Sequence, residues 1–271
     1  MSDTILQIKG LSIKVKGNEN TVTELVNHIN MVIKRNSICC IVGNSGSGKS
    51  LVATSIMGIF ADNLHVSGNI YFNDEDILTL PQKKLEKIRG KQIGIVMQNC
   101  AGSLNPLLKN GKQLRLSMKN YHRGKERQRA IEVLEQVELR HPEQILRQYP
   151  HELSGGMKQR LMTAIGMVNS PTLLIMDEPT KGMDVILRNQ IADMIEKLYK
   201  DTHTTILLIT HDLELAHKLS DYCYVMSDGK IIEENETQAL FKQANSAVFK
   251  KLITSEQKMT YFFEGKGGEQ C

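Results

Sequence analysis

The stretch ICCIVGNSGSGKSLVATSIMGIF, residues 38–60, places an apolar run, a glycine-rich loop and an apolar helical pattern in immediate succession. The run at 38–42 is continuous rather than alternating, which predicts a strand buried on both faces, as in a parallel sheet. The loop at 43–50 matches the pattern G-x-x-x-x-G-K-[ST]. Strand, loop and helix in this order form a phosphate cradle, so the stretch predicts an α/β nucleotide-binding core.

The residue types in the loop suit a triphosphate. Glycines let the backbone curl so that successive N–H groups point at the β- and γ-phosphates, and the positive end of the next helix adds to that attraction. Lys49 would neutralise phosphate charge and Ser50 would bind magnesium. A serine- and glycine-rich turn without function is the alternative, but the flanking strand and helix disfavour it. The predicted ATP-binding residues of the loop are Gly43, Asn44, Ser45, Gly46, Ser47, Gly48, Lys49 and Ser50.

Two further strand ends carry polar groups that suit hydrolysis. In LLIMDEP, residues 173–179, Asp177 ends an apolar run, so its carboxylate should emerge at the carboxyl edge of the sheet and bind magnesium. Glu178 follows it and could accept a proton from the attacking water. His211 follows the next apolar run, ILLIT, and should lie beside Glu178. Alone, Asp-Glu-Pro indicates only a strand-to-turn transition and a lone histidine is more often structural, but the phosphate loop makes the catalytic interpretation specific.

A second anion site is predicted at LSGGMKQR, residues 153–160. Ser154 would cap a helix, and Gly155 and Gly156 would bare backbone N–H groups at its start. A simple helix cap is the alternative. Because the chain already has a phosphate loop, a second anion-binding turn implies a second nucleotide presented by a partner.

The order of elements predicts one nucleotide-binding domain over residues 1–254. Short strands with turns (ILQIK, SIKV, HINMVIK) should form an antiparallel β lobe at the N-terminus, and an all-helical insertion is predicted at about residues 100–165. The strand–helix alternation then resumes. A short polar tail is predicted for residues 255–271.

Composition narrows the function classes. A net charge of +4 on 271 residues gives no reason to expect nucleic-acid binding. No apolar run approaches the ~20 residues that a membrane-spanning helix needs, and the first residues lack the pattern of a secretory signal. We therefore expect a cytosolic chain that reaches a membrane by docking. The adjacent Cys39 and Cys40 should point to opposite faces of a strand, so they cannot share one metal ion.

Taken together, the motifs resemble those of the ATP-binding subunits of ABC transporters, over nearly the whole chain to about residue 254. The resemblance implies that Gln98 is the Q-loop glutamine, which binds ATP and magnesium, and that Ser154 to Gly156 form the signature that contacts a partner's ATP. It implies that Asp184 contacts the opposite subunit. ATP and Mg²⁺ are the expected cofactors. Two such subunits would enclose two ATP molecules, head to tail.

Finer features are similar to one branch of that family. The segment QNCAGSLNPLLKNGKQL, residues 98–114, resembles the Q-loop extension of the oligopeptide, dipeptide and nickel importers. We expect import of a nickel, cobalt or zinc species, or of its metallophore complex, with an oligopeptide or dipeptide as the alternative cargo. The implied partners are a second ATPase subunit, preferably a paralogue, two membrane permease subunits and an extracellular solute-binding protein, at the cytoplasmic face of the cell membrane.

The sequence departs from the family pattern in two ways and leaves two rival functions open. No aromatic residue precedes Phe60, so the usual stacking platform for adenine is missing, and with only Cys271 in the tail no iron–sulfur cluster is expected. One rival function is a soluble ATPase of the same superfamily acting on ribosomes or DNA. The other is a nucleotide-gated scaffold that binds ATP without hydrolysis, which the presence of Lys49, Glu178 and His211 disfavours.

Overall fold

The computed structural model describes residues 3–16, 21–118 and 124–263. Their strands are β1 (Thr4–Lys16), β2 (Val22–Lys34), β3 (Ile38–Val42), β4 (Leu64–Phe72), β5 (Glu75–Asp76), β6 (Ile93–Val96), β7 (Leu173–Asp177), β8 (Thr205–Thr210), β9 (Tyr222–Ser227) and β10 (Lys230–Glu236). Their helices are α1 (Lys49–Ile56), α2 (Gln82–Ile88), α3 (Cys100–Ser103), α4 (Asn110–Ser117), α5 (Glu126–Gln136), α6 (Pro142–Arg147), α7 (Gly155–Met167), α8 (Val185–Thr202), α9 (Leu213–Leu219), α10 (Thr237–Lys242) and α11 (Ala247–Phe263).

A central sheet carries the predicted motifs. Among the described residues it has the order β10-β9-β3-β8-β7-β6, with parallel pairing from β9 to β6 and β10 antiparallel to β9. Every residue of β3, β7 and β8 is buried, as their continuous apolar runs predict. Parallel pairing brings the carboxyl ends of β3, β6, β7 and β8 to one edge, and all the predicted nucleotide residues follow those ends.

The second sheet is antiparallel, in the order β2-β1-β4-β5. Its apolar face and the helix α1 form one core with one face of the central sheet, while the helices after β6 form a second core on the other face. Cys39 belongs to the first core and Cys40 to the second, so the two thiols do point to opposite faces. The α/β fold with an antiparallel lobe and an inserted helical lobe is confirmed.

The predicted turn between two short N-terminal strands is absent from the described residues, because β1 continues through it. Gly10 has a φ of 59°, and the pairing register of β1 with β2 shifts between Ile8 and Leu11. The Gly10 N–H donates to Asn30 Oδ1 at 2.9 Å instead of joining the ladder. The glycine therefore forms a bulge, which bends a long strand without ending it.

Between β6 and β7, the helices α3 to α7 extend from Cys100 to Met167, where the sequence predicted an insertion at about residues 100–165. At the other end of the chain, α11 crosses the expected boundary at residue 254. Phe249 is buried there and packs edge-on against Phe241, and the Thr254 and Ser255 hydroxyls donate to carbonyls one turn back. These polar residues thus continue the helix where a polar tail was predicted. Cys271 lies outside the described residues.

The helical lobe is attached to the central sheet by a close approach of α7 to β6. A Cβ added at Gly94 in β6 would lie 2.3 Å from the Gly166 carbonyl oxygen in α7. Such a distance requires the backbone to move. The contact matters for the site because Gln98 follows β6 and the Ser154 turn precedes α7.

We predict that Gly94→Ala destabilises the chain by about 1–3 kcal/mol, the usual range for overpacking against an immobile group. Gly166→Ala is the matched control. Its Cβ would meet the Leu174 side chain at 3.1 Å and a carbonyl at 3.4 Å, and alanine favours the helix, so its effect should be smaller. Urea denaturation of both variants measures the difference, and equal stability of Gly94→Ala and the parent would contradict the close approach.

Candidate nucleotide site

The phosphate loop lies between β3 and α1, and its backbone requires glycine at two positions. Gly43 has a φ of 155°, and a Cβ there would lie 2.0 Å from the Met226 carbonyl oxygen. Gly48 has a φ of 98° and is the N-cap of α1, where a Cβ would meet Met226 Cε at 2.9 Å. The loop is therefore packed tightly against β9, which holds its N–H groups in place for an anion.

Lys49, the first residue of α1, points its side chain back across the loop. Its ammonium donates to the carbonyl oxygens of Gly43 at 2.7 Å and of Asn44 at 2.8 Å. Burial lowers the pKa of Lys49, and the carboxylates of Glu178 and Asp177 oppose that shift. A cation is thus anchored at the centre of the cradle, where the sequence predicted contact with phosphate.

Asp177 and Ser50 form a pair that suits magnesium. The Ser50 hydroxyl hydrogen-bonds to the Asp177 carboxylate, whose pKa is nevertheless raised, first of all by burial. The second carboxylate oxygen, Oδ1, is buried without a hydrogen-bond partner among the described residues. An orphaned carboxylate oxygen beside a hydroxyl supplies hard oxygen ligands of the kind that Mg²⁺ binds. The residues present therefore fit the predicted ion.

Glu178 and His211 meet as predicted. Glu178 directly follows β7 with a φ of 51°, a left-handed conformation that is uncommon for a residue with a side chain, and its N–H donates to the Ile209 carbonyl at 2.7 Å. His211 Nδ1 lies 2.7 Å from Glu178 Oε2. Because Asp177 pairs with Ile209 across β7 and β8, the two residues that follow these strands are neighbours at the edge.

The contact changes the titration of both groups. Burial by itself raises the pKa of Glu178, but the hydrogen bond and charge of His211 outweigh it and leave the pKa lowered. The same hydrogen bond raises the pKa of His211, with burial opposing it. The Glu178 carboxylate is therefore ionised at neutral pH, and His211 keeps its proton at a higher pH than an isolated imidazole.

One cavity brings most of these groups together. It is lined by Ser45, Gly46, Gly48, Lys49, Ser50, Leu51, Gln98, Glu178 and Lys181. Gln98, predicted from the resemblance, is exposed and faces the phosphate loop across this cavity. Lys181 is the residue that sequence reasoning missed. In the sequence, Lys181 could have been noticed as a positively charged residue only three positions after Glu178.

The Ser154 turn does not line that cavity. Ser154 caps α7 by accepting the Met157 N–H at 3.3 Å, and both Ser154 and Gly155 are exposed. A Cβ at Gly155 would meet nothing within 4 Å, whereas one at Gly156 would lie 2.5 Å from Leu187 Cδ1. The Ser154 turn is thus open to solvent and does not line the cavity of its own chain's phosphate loop.

Asp184 is close to the Ser154 turn because both contact Leu187 of α8. Its side chain caps the helix by accepting the Leu187 N–H at 2.8 Å, and it is the same Leu187 whose side chain packs over Gly156. The next residues, Val185 and Ile186, are 61% and 73% exposed. The predicted signature and the predicted subunit contact therefore share one exposed surface.

Comparisons with known proteins agree with this geometry. The family model described as ABC transporter matches residues 26–181. The oligopeptide transport ATP-binding protein OppD of Lactococcus lactis subsp. cremoris is 34% identical over 260 residues, covering 94% of this chain and 76% of that protein. OppD of Escherichia coli is 35% identical over 245 residues, covering 89% of this chain and 72% of its own length. The peptidoglycan transport ATP-binding protein YejF of Agrobacterium fabrum is 38% identical, covering 94% of this chain and 47% of its own.

Solved structures give the same fold. A dimer of the ATP-binding cassette MJ0796, in a post-hydrolysis state bound to ADP and Pi, has a TM-score of 0.74 and 26% identity, covering 86% of this chain and 98% of that one. CbiO1 of Clostridium perfringens, part of the ABC transporter complex cbiONQ, has a TM-score of 0.76 and 26% identity, covering 97% of this chain and 100% of that one.

The expected metal cargo is wrong by these comparisons. The relatives named above are described as oligopeptide or peptidoglycan transport proteins, and several further relatives carry the oligopeptide name. The error arose because the segment at residues 98–114 resembles that of oligopeptide, dipeptide and nickel importers alike, so this resemblance does not distinguish their cargoes.

The pairing of His211 with Glu178 gives a pH prediction. The midpoint of the His211 imidazole titration should lie above 6.5 and should fall in Glu178→Gln, because the neutral amide no longer stabilises the protonated ring. By linkage, the pair stabilises the fold most between about pH 4.5 and 6.5 and less as pH rises through the His211 midpoint or falls through that of Glu178. Histidine NMR signals followed against pH measure the His211 midpoint, and urea denaturation at several pH values measures the change in stability.

Glu75→Gln is the control, since it removes an exposed carboxylate in the antiparallel sheet. If the His211 midpoint stayed the same in Glu178→Gln, the hydrogen bond would not be the cause of the shift.

Proposed function

Because this chain belongs to the ABC transporter family, in which ATP hydrolysis is coupled to transport, we propose that it is the ATPase subunit of an oligopeptide importer. The family and the nucleotide chemistry rest on the sequence match and on the site. The peptide cargo is inferred from relatives that span most of this chain and bear that name. The subunit would lie at the cytoplasmic face of the membrane, bound to other subunits.

The observation that carries the ATPase assignment is the 2.7 Å contact between Glu178 and His211 beside the phosphate loop. The ionised Glu178 can accept a proton from a water that attacks the terminal phosphate. His211 is held by Nδ1, so Nε2 remains to donate to a phosphate oxygen. Lys49 and the loop N–H groups neutralise the charge that develops there. Mg²⁺, held by Ser50, Asp177 and Gln98, would supply further charge neutralisation when bound.

The exposed Ser154 turn supports a composite site. In the part of the chain that the structure describes, a cavity contains the phosphate loop, and the start of α7, apart from that cavity, is exposed to solvent and suited to an anion. A second subunit facing this chain would bring the two together twice, with Asp184 at the contact. The MJ0796 cassette has been solved as a dimer, which is consistent with this arrangement. We propose a paralogue as the second subunit, following the resemblance to importers with two different ATPase chains.

Membrane attachment would come from other chains. None of the helices in the described ranges is long and apolar enough to cross a bilayer. In the helical lobe, Leu107 is 83% exposed and Leu116 is 65% exposed, and both follow Gln98 closely in the chain. We propose that these exposed leucines take part in the contact of the helical lobe with the two permease subunits, to which the motion of the nucleotide site is passed. An extracellular solute-binding protein would deliver the peptide.

Two substitutions separate binding from hydrolysis. Glu178→Gln should bind ATP at least as tightly as the parent and slow phosphate release by at least about a hundredfold, because the base and its negative charge are lost. Lys49→Ala should weaken ATP binding by about tenfold or more, because a charge-assisted contact is removed. Equilibrium binding and phosphate release measure the two effects, and Glu75→Gln is the control for both. Normal turnover by Glu178→Gln would contradict the assigned role.

The cargo is tested on the assembled transporter in vesicles. ATP hydrolysis should rise several-fold when the solute-binding protein is loaded with an oligopeptide, and labelled peptide should accumulate in vesicles carrying the parent chain. Vesicles carrying Glu178→Gln should show neither. If peptides left hydrolysis unchanged while another class of solute stimulated it, the ATPase assignment would stand and the peptide assignment would not.

A further inference from the structure

The turn after Glu178 fixes the position of Lys181. The Lys181 N–H donates to the Glu178 carbonyl oxygen at 3.2 Å, and the next residue, Gly182, has a φ of 75°. Thr180, which is buried within the same turn, donates its hydroxyl to Asp212 Oδ2 at 3.4 Å. Asp212 is the cap of α9 and accepts the Leu215 N–H. The backbone at Lys181 is therefore held by its hydrogen bond to Glu178. The neighbouring Thr180 is in turn bonded to Asp212 at the start of α9.

From that position the Lys181 side chain faces the phosphate loop. It lines the same cavity as Lys49, Ser50, Gln98 and Glu178. Its charge lowers the pKa of Lys49 and of Asp177, although it is a minor cause of either shift. Lys49 lines this cavity, and Asp177 is hydrogen-bonded to Ser50, which also lines it. The Lys181 ammonium is therefore close enough to act on groups that would surround a terminal phosphate.

The ammonium has no competing partner in the part of the chain that the structure describes. No hydrogen bond or ion pair involves Lys181 Nζ there, whereas most of the exposed lysines with close partners, such as Lys197, Lys200 and Lys218, pair with carboxylates. Lys49, by contrast, is held by two carbonyl oxygens. Binding an anion would therefore cost Lys181 no existing salt bridge, only the freedom of an exposed side chain.

A cation at this position would offset the negative charges around the cavity. Asp177 and Glu178 both carry carboxylates at the edge where the last phosphate of a bound triphosphate would lie, and they would repel it. The Lys49 ammonium is already hydrogen-bonded to two carbonyl oxygens of the phosphate loop. We propose that Lys181 binds a terminal-phosphate oxygen of the ATP held by its own chain, and so favours ATP over ADP. The inference concerns the nucleotide and does not depend on the peptide cargo.

The test compares nucleotide affinities in a chain that does not consume ATP. In the Glu178→Gln background, with Mg²⁺ present, dissociation constants for ATP and ADP are measured for Lys181→Met and Lys181→Arg. Lys181→Met should weaken ATP binding by about tenfold, the usual size for one charge-assisted contact, and ADP binding by less than about twofold. Lys181→Arg should retain most of the preference for ATP, because it keeps the charge.

Lys83→Met is the matched control, since Lys83 is an exposed lysine of α2 that does not line the cavity, and it should change neither constant. Circular dichroism confirms that each variant is folded, and Lys181→Gln replaces Lys181→Met if the latter is not. Equal losses for ATP and ADP, or no loss, would overturn the proposal. A loss that appears only at concentrations where two subunits associate would place the contact on the partner's ATP and would also overturn it.

Discussion

Parallel pairing of β3, β8, β7 and β6 places four strand ends at one edge of the central sheet, and the nucleotide site depends on this register. Val42 pairs with Thr210, Asp177 with Ile209 and Val96 with Met176. A group with a predicted chemical role follows each strand within one or two residues. The phosphate loop follows β3, His211 follows β8, Glu178 follows β7 and Gln98 follows β6. A one-residue slip in any strand would turn its buried side chains to the other face and remove its polar group from the edge.

The register is stable because both faces of the sheet are covered. The antiparallel sheet and α1 cover one face, and the helices after β6 cover the other. The same packing also positions the phosphate loop and the Ser154 turn. Met226 in β9 presses on the phosphate loop at Gly43, and α7 approaches β6 at Gly94, so the strands that form the core also hold the loop and the Ser154 turn. Stability and site geometry therefore come from the same contacts.

The site could be predicted from the sequence where its geometry is local or follows from strand order. The loop at residues 43–50 is a local structure, and Glu178 meets His211 because their strands are adjacent. Lys181 was missed because its role depends on how a turn directs one side chain, and no pattern of residue types encodes that. The bulge at Gly10 and the length of α11 were missed because a glycine or a polar residue can either end an element or continue it, depending on its neighbours.

The identity of the transported solute is the property that this sequence determines least. ATP chemistry needs particular atoms at particular distances, so the chain records it residue by residue. Under the proposed function, other subunits would select the solute, and this chain would carry only the surface that contacts them. Similarity over most of the length to oligopeptide transport proteins supplied what the motifs could not.

We propose that the exposed Ser154 turn completes the nucleotide site of another subunit. An experimental structure of the assembled transporter, carrying Glu178→Gln and bound to ATP and Mg²⁺, tests it most directly. We expect the N–H groups at Gly155 and Gly156 and the Ser154 hydroxyl to contact the triphosphate held by the facing subunit's phosphate loop. A closed complex in which this turn faces solvent, or contacts the triphosphate of its own chain, would contradict it.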